Sequence, residues 1–262
     1  MSMNNVKGFF YKFLPKSFIE IAKLKYYNFQ NRKYVFSKEL DNYHTSEEGK
    51  WNAITKKPLY FLVHDIDKYE KYYKIEKDNV VFDAGANEGA LSIIYSQKVG
   101  VRGKVFSFEP DSVNTGLLKK NLDLNTEVEN IDVVKKGLWN KSETLQFFEA
   151  GNVGSSIFYE DEKSKQVTIQ GISIDDFVEL QNLNKLDFIK MDIEGAEIKA
   201  LEGAVKTIEK LKPNFAIASY HMVDKKLTYI AVERFFKHLN YPFKTEFFDD
   251  GEIIVYAGNS VK

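Results

Sequence analysis

The sequence predicts an α/β fold in which a mostly parallel sheet carries helices on both of its faces. Three observations predict it. Short apolar runs alternate with segments of helical periodicity, those segments are long enough to be crossover helices, and a glycine-rich turn joins one of the strands to the next helix. The alternation begins near residue 80. The chain before it is basic and aromatic and predicts a mainly helical extension.

Six predicted strands alternate with four predicted helices. The strands are short runs rich in β-branched and aromatic residues, whereas the helices repeat apolar side chains every three or four residues. The predicted strands are 80–82, 104–108, 131–134, 187–191, 215–219 and 253–256, and the predicted helices are 91–99, 112–124, 196–211 and 227–239.

Residues 143–176 interrupt this alternation. Two short apolar runs, 145–148 and 167–170, flank a loop-type segment that includes Gly154-Ser155-Ser156, which indicates an antiparallel insertion near the mouth of the site. Upstream, the sequence predicts a helix at 18–27, a strand at 59–63 and a short helix at 67–74. We therefore divide the chain into an extension, residues 1–70, and a domain, residues 71–262.

The composition is that of an ordinary globular protein, with 44% hydrophobic and 29% charged residues among 262. A net charge of −1 gives no reason to expect a nucleic-acid partner. The absence of cysteine excludes disulfides, thiolate metal sites and cysteine nucleophiles, and is compatible with the cytoplasm. The longest uncharged stretch, Pro213–Val223, is far shorter than the roughly 20 residues that span a bilayer. Lysines at 7, 12 and 16 predict that the first residues are not a signal peptide.

The most informative segment is the turn Asp83-Ala84-Gly85-Ala86-Asn87-Glu88-Gly89, which follows a strand and leads into a helix. Exposed N–H groups at a helix start bind anionic groups, and glycines let a ligand approach the backbone closely. The D-x-G-x-N-x-G spacing differs from the G-x-G-x-x-G of nicotinamide enzymes. Its acidic first residue suits S-adenosyl-L-methionine, whose amino-acid end carries an ammonium group. An aspartate that ends a strand without such a turn would cap a helix nearly as often as it would contact a ligand.

A second signal is Glu109, which ends the next strand and precedes Pro110. In nucleotide-binding sheets, a carboxylate about 20 residues beyond the glycine turn holds the ribose hydroxyls. Its two oxygens can accept both hydrogen bonds of a vicinal diol. The alternative is a solvated glutamate at a strand end.

The third signal is the acidic turn after strand 187–191, in the segment Met191-Asp192-Ile193-Glu194-Gly195-Ala196-Glu197. Ligands of open parallel sheets bind beside the carboxyl ends of the strands. We therefore expect Asp192 and Glu194 to lie near the reactive methyl group of the cofactor.

These three segments together resemble the FkbM family of S-adenosylmethionine-dependent methyltransferases. The matching stretches are 81–89, 106–110 and 188–197, supported by Ile172-Ser173-Ile174-Asp175-Asp176-Phe177 and by the loop at Gly154. The similarity covers roughly residues 75–225. Glu88 departs from the smaller or apolar residue that the family often has, and the first 70 residues show no match.

The resemblance implies a class I methyltransferase, a Rossmann-like doubly wound sheet of seven strands, and methyl transfer to a hydroxyl of a sugar in a glycan, glycolipid or glycosylated metabolite. It implies that Asp83, Gly85, Ala86, Asn87 and Gly89 hold the methionine part of the cofactor and that Glu109 holds the ribose. Gly137 and Leu138 would approach the adenine, with Asp192 also at the cofactor. Trp139 is either part of that approach or a core aromatic.

An alcohol is a poor nucleophile, so a base within hydrogen-bond reach of the acceptor would help. Asp192, Glu194 and His221 are the candidate catalytic residues, since His221 follows the apolar strand at 215–219. A purely structural role for His221 is the alternative. Carboxylates and imidazole also suit a divalent cation, but the sequence has no tight ligand spacing, so we expect no metal.

Lysines and aromatic residues are interleaved between residues 7 and 30. Residues 1–40 hold seven lysines and one arginine against two glutamates. Helices of this kind can lie in a membrane surface, which predicts peripheral membrane contact of a cytoplasmic protein. The alternative is a helix packed on the domain or in a dimer contact; the sequence does not indicate an oligomeric state.

Two other functions fit part of the pattern. A nicotinamide-dependent oxidoreductase would use a similar sheet, but Asn87 replaces the second glycine of its turn. A cofactor-binding module that acts only as an interaction partner would keep the turn without the chemistry.

Overall fold

The computed structural model describes residues 15–149 and 165–261. The chain divides into two compact units, Met1–Val63 and His64–Lys262. In the described part of the first unit, helix α1 (Lys16–Gln30) precedes three antiparallel strands in the order β1-β2-β3. The strands are β1 (Tyr34–Glu39), β2 (Asn42–Glu47) and β3 (Trp51–Thr55).

The three-stranded sheet beside this helix was not predicted from the sequence. In β1 the buried Tyr34 and Phe36 alternate with the exposed Val35 and Ser37, which is the period of a strand. The three strands are rich in polar residues, so the alternation of apolar and polar residues along each one is weak. They are therefore hard to recognise from the sequence before their pairing is known. The predicted helix at 18–27 is confirmed, and it lies within α1.

Side chains join α1 to the sheet of its own unit. The amide of Asn28 donates to the carbonyl of Phe36 and accepts from its N–H, each at 2.7 Å. Lys38 donates to Glu20 at 2.6 Å, and Tyr27 stacks on Tyr60 with ring centroids 4.1 Å apart. At the edge of β1, the Asn28 side chain thus makes the two hydrogen bonds that a neighbouring strand would make with Phe36.

A turn and then helix α2 (Leu62–Tyr69) occupy the region where the sequence predicted a strand at 59–63 and a helix at 67–74. Both predictions are wrong in position, because an apolar run of five residues fits the start of a buried helix as well as a strand. Lys68 donates to Glu252 at 2.6 Å and Tyr69 to Asp192 at 3.1 Å, so these two residues are bonded within the second unit. The expected boundary after residue 70 stays a prediction that limited proteolysis can test.

The second unit contains a seven-stranded sheet with the order β14-β15-β11-β10-β4-β5-β6. Strands β11, β10, β4, β5 and β6 are parallel, and β15 runs antiparallel to both β11 and β14. The mostly parallel sheet of seven strands is therefore confirmed. Its strands are β4 (Val80–Ala84), β5 (Lys104–Phe108), β6 (Ile131–Val134), β10 (Phe188–Met191), β11 (Asn214–Ala218), β14 (Phe243–Phe247) and β15 (Ile253–Ala257). Strand β14, which is charged and half exposed, was not predicted.

Helices connect these strands. They are α3 (Ala90–Val99), α4 (Ser112–Asp123), α5 (Ile174–Leu180), α6 (Glu197–Glu202), α7 (Val205–Leu211) and α8 (Thr228–His238), with a 3₁₀ turn at Asn259–Val261. The single helix predicted at 196–211 is two helices. The break is at Gly203, where an added Cβ would lie 2.4 Å from the carbonyl oxygen of Trp139.

A small sheet with the order β7-β9-β8 forms the interruption. Strands β8 (Thr144–Glu149) and β9 (Lys165–Ile172) pair antiparallel, as predicted, and β7 (Gly137–Leu138) pairs with β9. The loop with Gly154-Ser155-Ser156 lies outside the described residues. A short hairpin, β12 (Met222–Val223) with β13 (Lys226–Leu227), follows the sheet strand β11.

The core of the second unit lies against the sheet and is rich in phenylalanine. Phe177 of α5 contacts Phe82, Phe106 and Phe108, with ring centroids 4.8–5.5 Å apart. Edge-on contacts of this kind stabilise a core beyond the area that they bury. No helix in the described ranges combines the length and the apolar character needed to cross a membrane.

Candidate active site

The carboxyl ends of the parallel strands β4, β5 and β10 meet at one edge of the sheet. Asp192 follows β10 and donates its N–H to the carbonyl of Ala84 at 3.1 Å, next to the glycine turn after β4. The N–H groups of Gly85 and Ala86 both donate to the carbonyl of Phe108 at 3.0 Å, next to Glu109. The three sequence signals are therefore adjacent in the fold.

The glycine turn has a left-handed backbone at Gly85, Asn87 and Gly89, with φ of 75°, 50° and 78°. At Gly85 an added Cβ would lie 1.9 Å from the carbonyl oxygen of Asp192, and at Gly89 it would lie 2.7 Å from Leu118. Glycine is required at both positions by conformation and by space. The turn thus packs directly on the acidic turn.

Asp83 is fully buried inside the base of the turn. Its carboxylate accepts from Ser92 at 2.6 Å and lies 3.3 Å from the ammonium group of Lys190. Lys190 also donates to the carbonyls of Ala84 and Gly85 at 3.2 and 2.8 Å. The pair therefore fixes the backbone of the glycine turn, and a contact between Asp83 and the cofactor stays a prediction.

Glu109 lies at the end of β5 and is 5% exposed. One carboxylate oxygen accepts from the N–H of Asn87 at 2.8 Å, and the other accepts from the N–H of Asp111 at 2.9 Å. Burial raises the pKa of Glu109 to about 7, although both backbone hydrogen bonds act in the opposite direction. The Asn114 side chain also hydrogen-bonds to this carboxylate, so about one of its four acceptor positions is left for a ligand.

The acidic turn and the segment after β11 bring Asp192, Glu194 and His221 together. His221 Nε2 lies 3.5 Å from both Asp192 Oδ1 and Glu194 Oε2. On its other side His221 Nδ1 lies 3.1 Å from Oε1 of the fully buried Glu197. That oxygen also accepts from the N–H groups of Ile193 and Gly195 at 3.3 and 3.1 Å, so Glu197 holds the turn as well as the imidazole.

The charges of this cluster shift two pKa values. Burial by itself lowers the pKa of His221, but the hydrogen bond and charge of Glu197 and the charges of Asp192 and Glu194 outweigh it and raise the pKa to about 9. Burial raises the pKa of Glu194 to about 7, although the charge of His221 lowers it. At neutral pH the surrounding carboxylates therefore favour the protonated imidazole when no ligand lies between these groups, and a role of His221 as the base stays a prediction.

Sequence reasoning did not select three residues that the structure places at the site: Lys190, Glu197 and Tyr69. Glu197 belongs to the quoted acidic segment, and Lys190 is a charged residue in an otherwise apolar strand, which is a usable signal. Tyr69 lies more than a hundred residues before its partner, and only the fold shows that its hydroxyl donates to Asp192 Oδ2 at 3.1 Å. Burial raises the pKa of Tyr69 well above its ordinary value, so the hydroxyl keeps its proton.

The predicted adenine contacts lie in the small sheet. Gly137 and Leu138 form β7, and Leu138 is 2% exposed within the main core. Trp139 packs against the satellite cluster of Leu145, Phe147 and Ile169, and its indole donates to Glu143 at 3.0 Å. The core interpretation of Trp139 thus has structural support, while the adenine contacts of Gly137 and Leu138 stay predictions.

A sheet of this strand order, with a glycine turn after β4 and one antiparallel strand beside β11, defines the class I methyltransferase fold. The chain resembles the crystal structure of an FkbM methyltransferase from Methylobacillus flagellatus with a TM-score of 0.52, 24% identity, and coverage of 71% of this chain and 45% of that one. The profile of the methyltransferase FkbM domain matches residues 83–243, more than half of the chain. The chain therefore belongs to the methyltransferase FkbM family.

Two curated relatives are similar to more than half of this chain. The hexuronic acid methyltransferase AglP of Haloferax volcanii is 30% identical over 152 residues, which cover 58% of this chain and 60% of AglP. The methyltransferase sdnD of Sordaria araneosa is 24% identical over 201 residues, which cover 64% of this chain and 77% of sdnD. The chain thus matches less than two thirds of AglP.

Proposed function

We propose that this protein transfers the methyl group of S-adenosylmethionine to a hydroxyl group of a sugar. The observation that carries the proposal is the direct packing of the glycine turn on the acidic turn, seen in the 1.9 Å distance from a Cβ at Gly85 to the carbonyl of Asp192. A cofactor held by the first turn would lie beside Asp192, Glu194 and His221. Family membership supports the same donor.

The proposed cofactor contacts follow from the backbone of the site. Residues Gly85 to Gly89 would hold the methionine end, because the left-handed turn and its glycines let a ligand approach the main chain. The Glu109 carboxylate would accept from the ribose hydroxyls through the acceptor position that Asn87, Asp111 and Asn114 leave open.

The reaction forms an oxygen–carbon bond and breaks the carbon–sulfur bond, whose electron pair stays on sulfur in S-adenosylhomocysteine. The acceptor hydroxyl loses its proton to a carboxylate of the cluster, Asp192 or Glu194, and from there to solvent, because both side chains are partly exposed. A site lowers the barrier when it holds the oxygen in line with the carbon–sulfur bond and excludes water. The cluster of Asp192, Glu194 and His221 provides three groups that can hold and activate the hydroxyl beside the donor.

The sugar acceptor is proposed from a relative. AglP is named a hexuronic acid methyltransferase, and its match with this chain extends over 152 residues. A cluster of carboxylates and an imidazole also suits the hydroxyl groups of a carbohydrate, which both donate and accept hydrogen bonds.

Calorimetry with S-adenosylmethionine and with NAD, followed by assay of S-adenosylhomocysteine with a panel of sugar nucleotides and glycans, tests the proposal. We expect binding of the first cofactor only, and a product heavier by one methylene group. Binding of NAD instead would indicate an oxidoreductase. Cofactor binding with no product from any acceptor would favour an interaction module.

We expect the affinity for S-adenosylmethionine to rise with pH through the ionisation of Glu109. With a pKa of about 7, the carboxylate that accepts ribose hydroxyls is about tenfold more abundant at pH 8 than at pH 6. Calorimetry across this range should show a comparable gain in affinity, and Glu109→Gln should bind weakly with a flat profile. A wild-type profile as flat as that of the variant would contradict the ribose role.

Folding raises this same pKa, so the neutral acid is favoured in the native state. The contribution of Glu109 to the free energy of unfolding is therefore present at low pH and falls as pH rises from about 4.5 to about 7. Glu109 contributes less to folding stability as the pH rises. A higher cofactor affinity at high pH therefore cannot result from a gain in stability at Glu109.

We also propose that the extension contacts a membrane surface from the cytoplasmic side. Phe18, Ile21 and Phe29 lie on one side of α1 and are 58%, 52% and 80% exposed. Lysines flank them, as in helices that lie in anionic surfaces. Residues 7–14 of the segment 7–30 lie outside the described residues.

Flotation with phosphatidylserine-containing vesicles tests this contact. We expect the full chain to float with these vesicles, and the double variant Phe18→Ser/Phe29→Ser to lose most of that binding because its apolar anchors are gone. Val101→Ser is the matched control, because Val101 is 97% exposed but lies in the second unit. Equal flotation of all three proteins would rule out α1 as the membrane contact.

A further inference from the structure

We propose that Asp192, Glu194 and His221 form a binding site for one divalent cation of the Mn²⁺ or Mg²⁺ type. The inference rests on the proposed function and deepens it, because the cation would activate the acceptor hydroxyl. Each residue offers one ligand atom, and these three atoms lie within 4.8 Å of one another. The ligands come from the ends of two strands, so their spacing in the sequence has no metal-binding signature.

Two buried atoms of the cluster point to an occupant. The His221 side chain is 5% exposed. Among the described residues, His221 Nε2 and Asp192 Oδ1 make no hydrogen bond. Nε2 is aimed between the two carboxylates, but at 3.5 Å from each it is too far away for a good hydrogen bond. Buried polar atoms nearly always have a partner, so an atom held between these three groups would supply it.

The distances suit a metal ion. Divalent cations of this type bind oxygen and nitrogen at about 2.0–2.2 Å, which places neighbouring ligand atoms about 3 Å apart. The two separations of 3.5 Å need only a small contraction around the ion. The two carboxylate oxygens and the absence of thiolates favour Mn²⁺ or Mg²⁺, and the single imidazole nitrogen favours Mn²⁺ of these two.

A second layer of residues orients the ligands. Glu197 pairs with His221 Nδ1 at 3.1 Å, and this leaves Nε2 to face the ion. Tyr69 donates to Asp192 Oδ2 at 3.1 Å, and this leaves Oδ1 to face the ion. Carboxylate–histidine–metal arrangements of this kind fix the ring and raise its basicity as a ligand.

The cation defines a role for the cluster in the reaction. Binding would displace the proton of His221 Nε2, because only neutral imidazole ligates metals. The acceptor hydroxyl would take an open position on the ion, which lowers the hydroxyl pKa, and would release its proton to water at the partly exposed side of Glu194. The resulting oxygen would attack the methyl carbon, and the carbon–sulfur electron pair would remain on S-adenosylhomocysteine.

The test is Mn²⁺ binding to the EDTA-treated full chain, measured by calorimetry and by the loss of the free-ion signal in electron paramagnetic resonance. We expect one saturable site that Asp192→Asn and Glu194→Gln each weaken at least tenfold. Glu197→Gln should weaken it by roughly 10–100-fold without touching the ion, as orienting residues of metal sites do. Glu179→Gln is the control, because Glu179 is an exposed carboxylate in α5.

The proposal is overturned if the protein shows no saturable Mn²⁺ site, or if the Asp192 and Glu194 variants bind as well as Glu179→Gln. Circular dichroism identifies a variant that fails to fold, and Glu194→Gln then decides, because Glu194 is partly exposed. If the metal-free protein still binds S-adenosylmethionine and methylates at full rate, the role of the cation is refuted but the proposed function is not. Loss of cofactor binding by metal-loaded wild type would refute the proposed function instead.

Discussion

Gly85→Ala is expected to abolish binding of S-adenosylmethionine and to destabilise the fold. The added Cβ would lie 1.9 Å from the carbonyl oxygen of Asp192, and φ is 75°, a conformation that alanine adopts only with strain. The backbone must shift where the two turns meet. Such combined strain and overlap costs several kcal/mol, of the order of 3–5. Urea unfolding measures the stability, and calorimetry measures the cofactor affinity.

Gly116→Ala is the matched control for this change. Gly116 lies on the exposed side of α4, and nothing lies within 4 Å of its added Cβ. Alanine in a helix interior is better than glycine by about 0.5–1 kcal/mol, so this variant should be slightly more stable and bind the cofactor normally. Normal cofactor binding by Gly85→Ala would show that the glycine turn is not where the cofactor lies.

Lys190→Met is expected to lower the free energy of unfolding by about 3–5 kcal/mol, because it leaves the fully buried Asp83 carboxylate without its cation. Lys190 also donates to the carbonyls of Ala84 and Gly85, so the variant should bind the cofactor more weakly. The double variant Asp83→Asn/Lys190→Met should recover much of the stability, because no unpaired charge stays buried.

Arg102→Met is the control for the ion pair. Arg102 donates to Asp78 at 2.6 Å, but its side chain is 78% exposed, so its loss should cost less than about 1 kcal/mol. Denaturant unfolding of the four proteins gives the comparison. An equally small effect of Lys190→Met would show that the buried pair does not hold the glycine turn.

The order of strands and helices was readable from the sequence where the pattern is local. Strands 104–108 and 131–134 were placed at their observed bounds, since buried parallel strands are continuous apolar runs. The three strands of the first unit were not predicted, because β1 to β3 acquire their pattern only by pairing with one another. Strand β14 was not predicted for the same reason. It is a charged edge strand whose strand conformation depends on pairing with β15.

The candidate site shows the same division. The glycine turn, Glu109 and the acidic turn are short segments whose chemistry is written in consecutive residues, so the sequence by itself determined the family and the edge of the sheet involved. The tertiary structure decided which side chains face one another. His221 lies between Asp192, Glu194 and Glu197, and Lys190 lies against Asp83, only because parallel strands bring their ends together. Contacts between distant segments depend on strand register and burial, which no local pattern of residues contains.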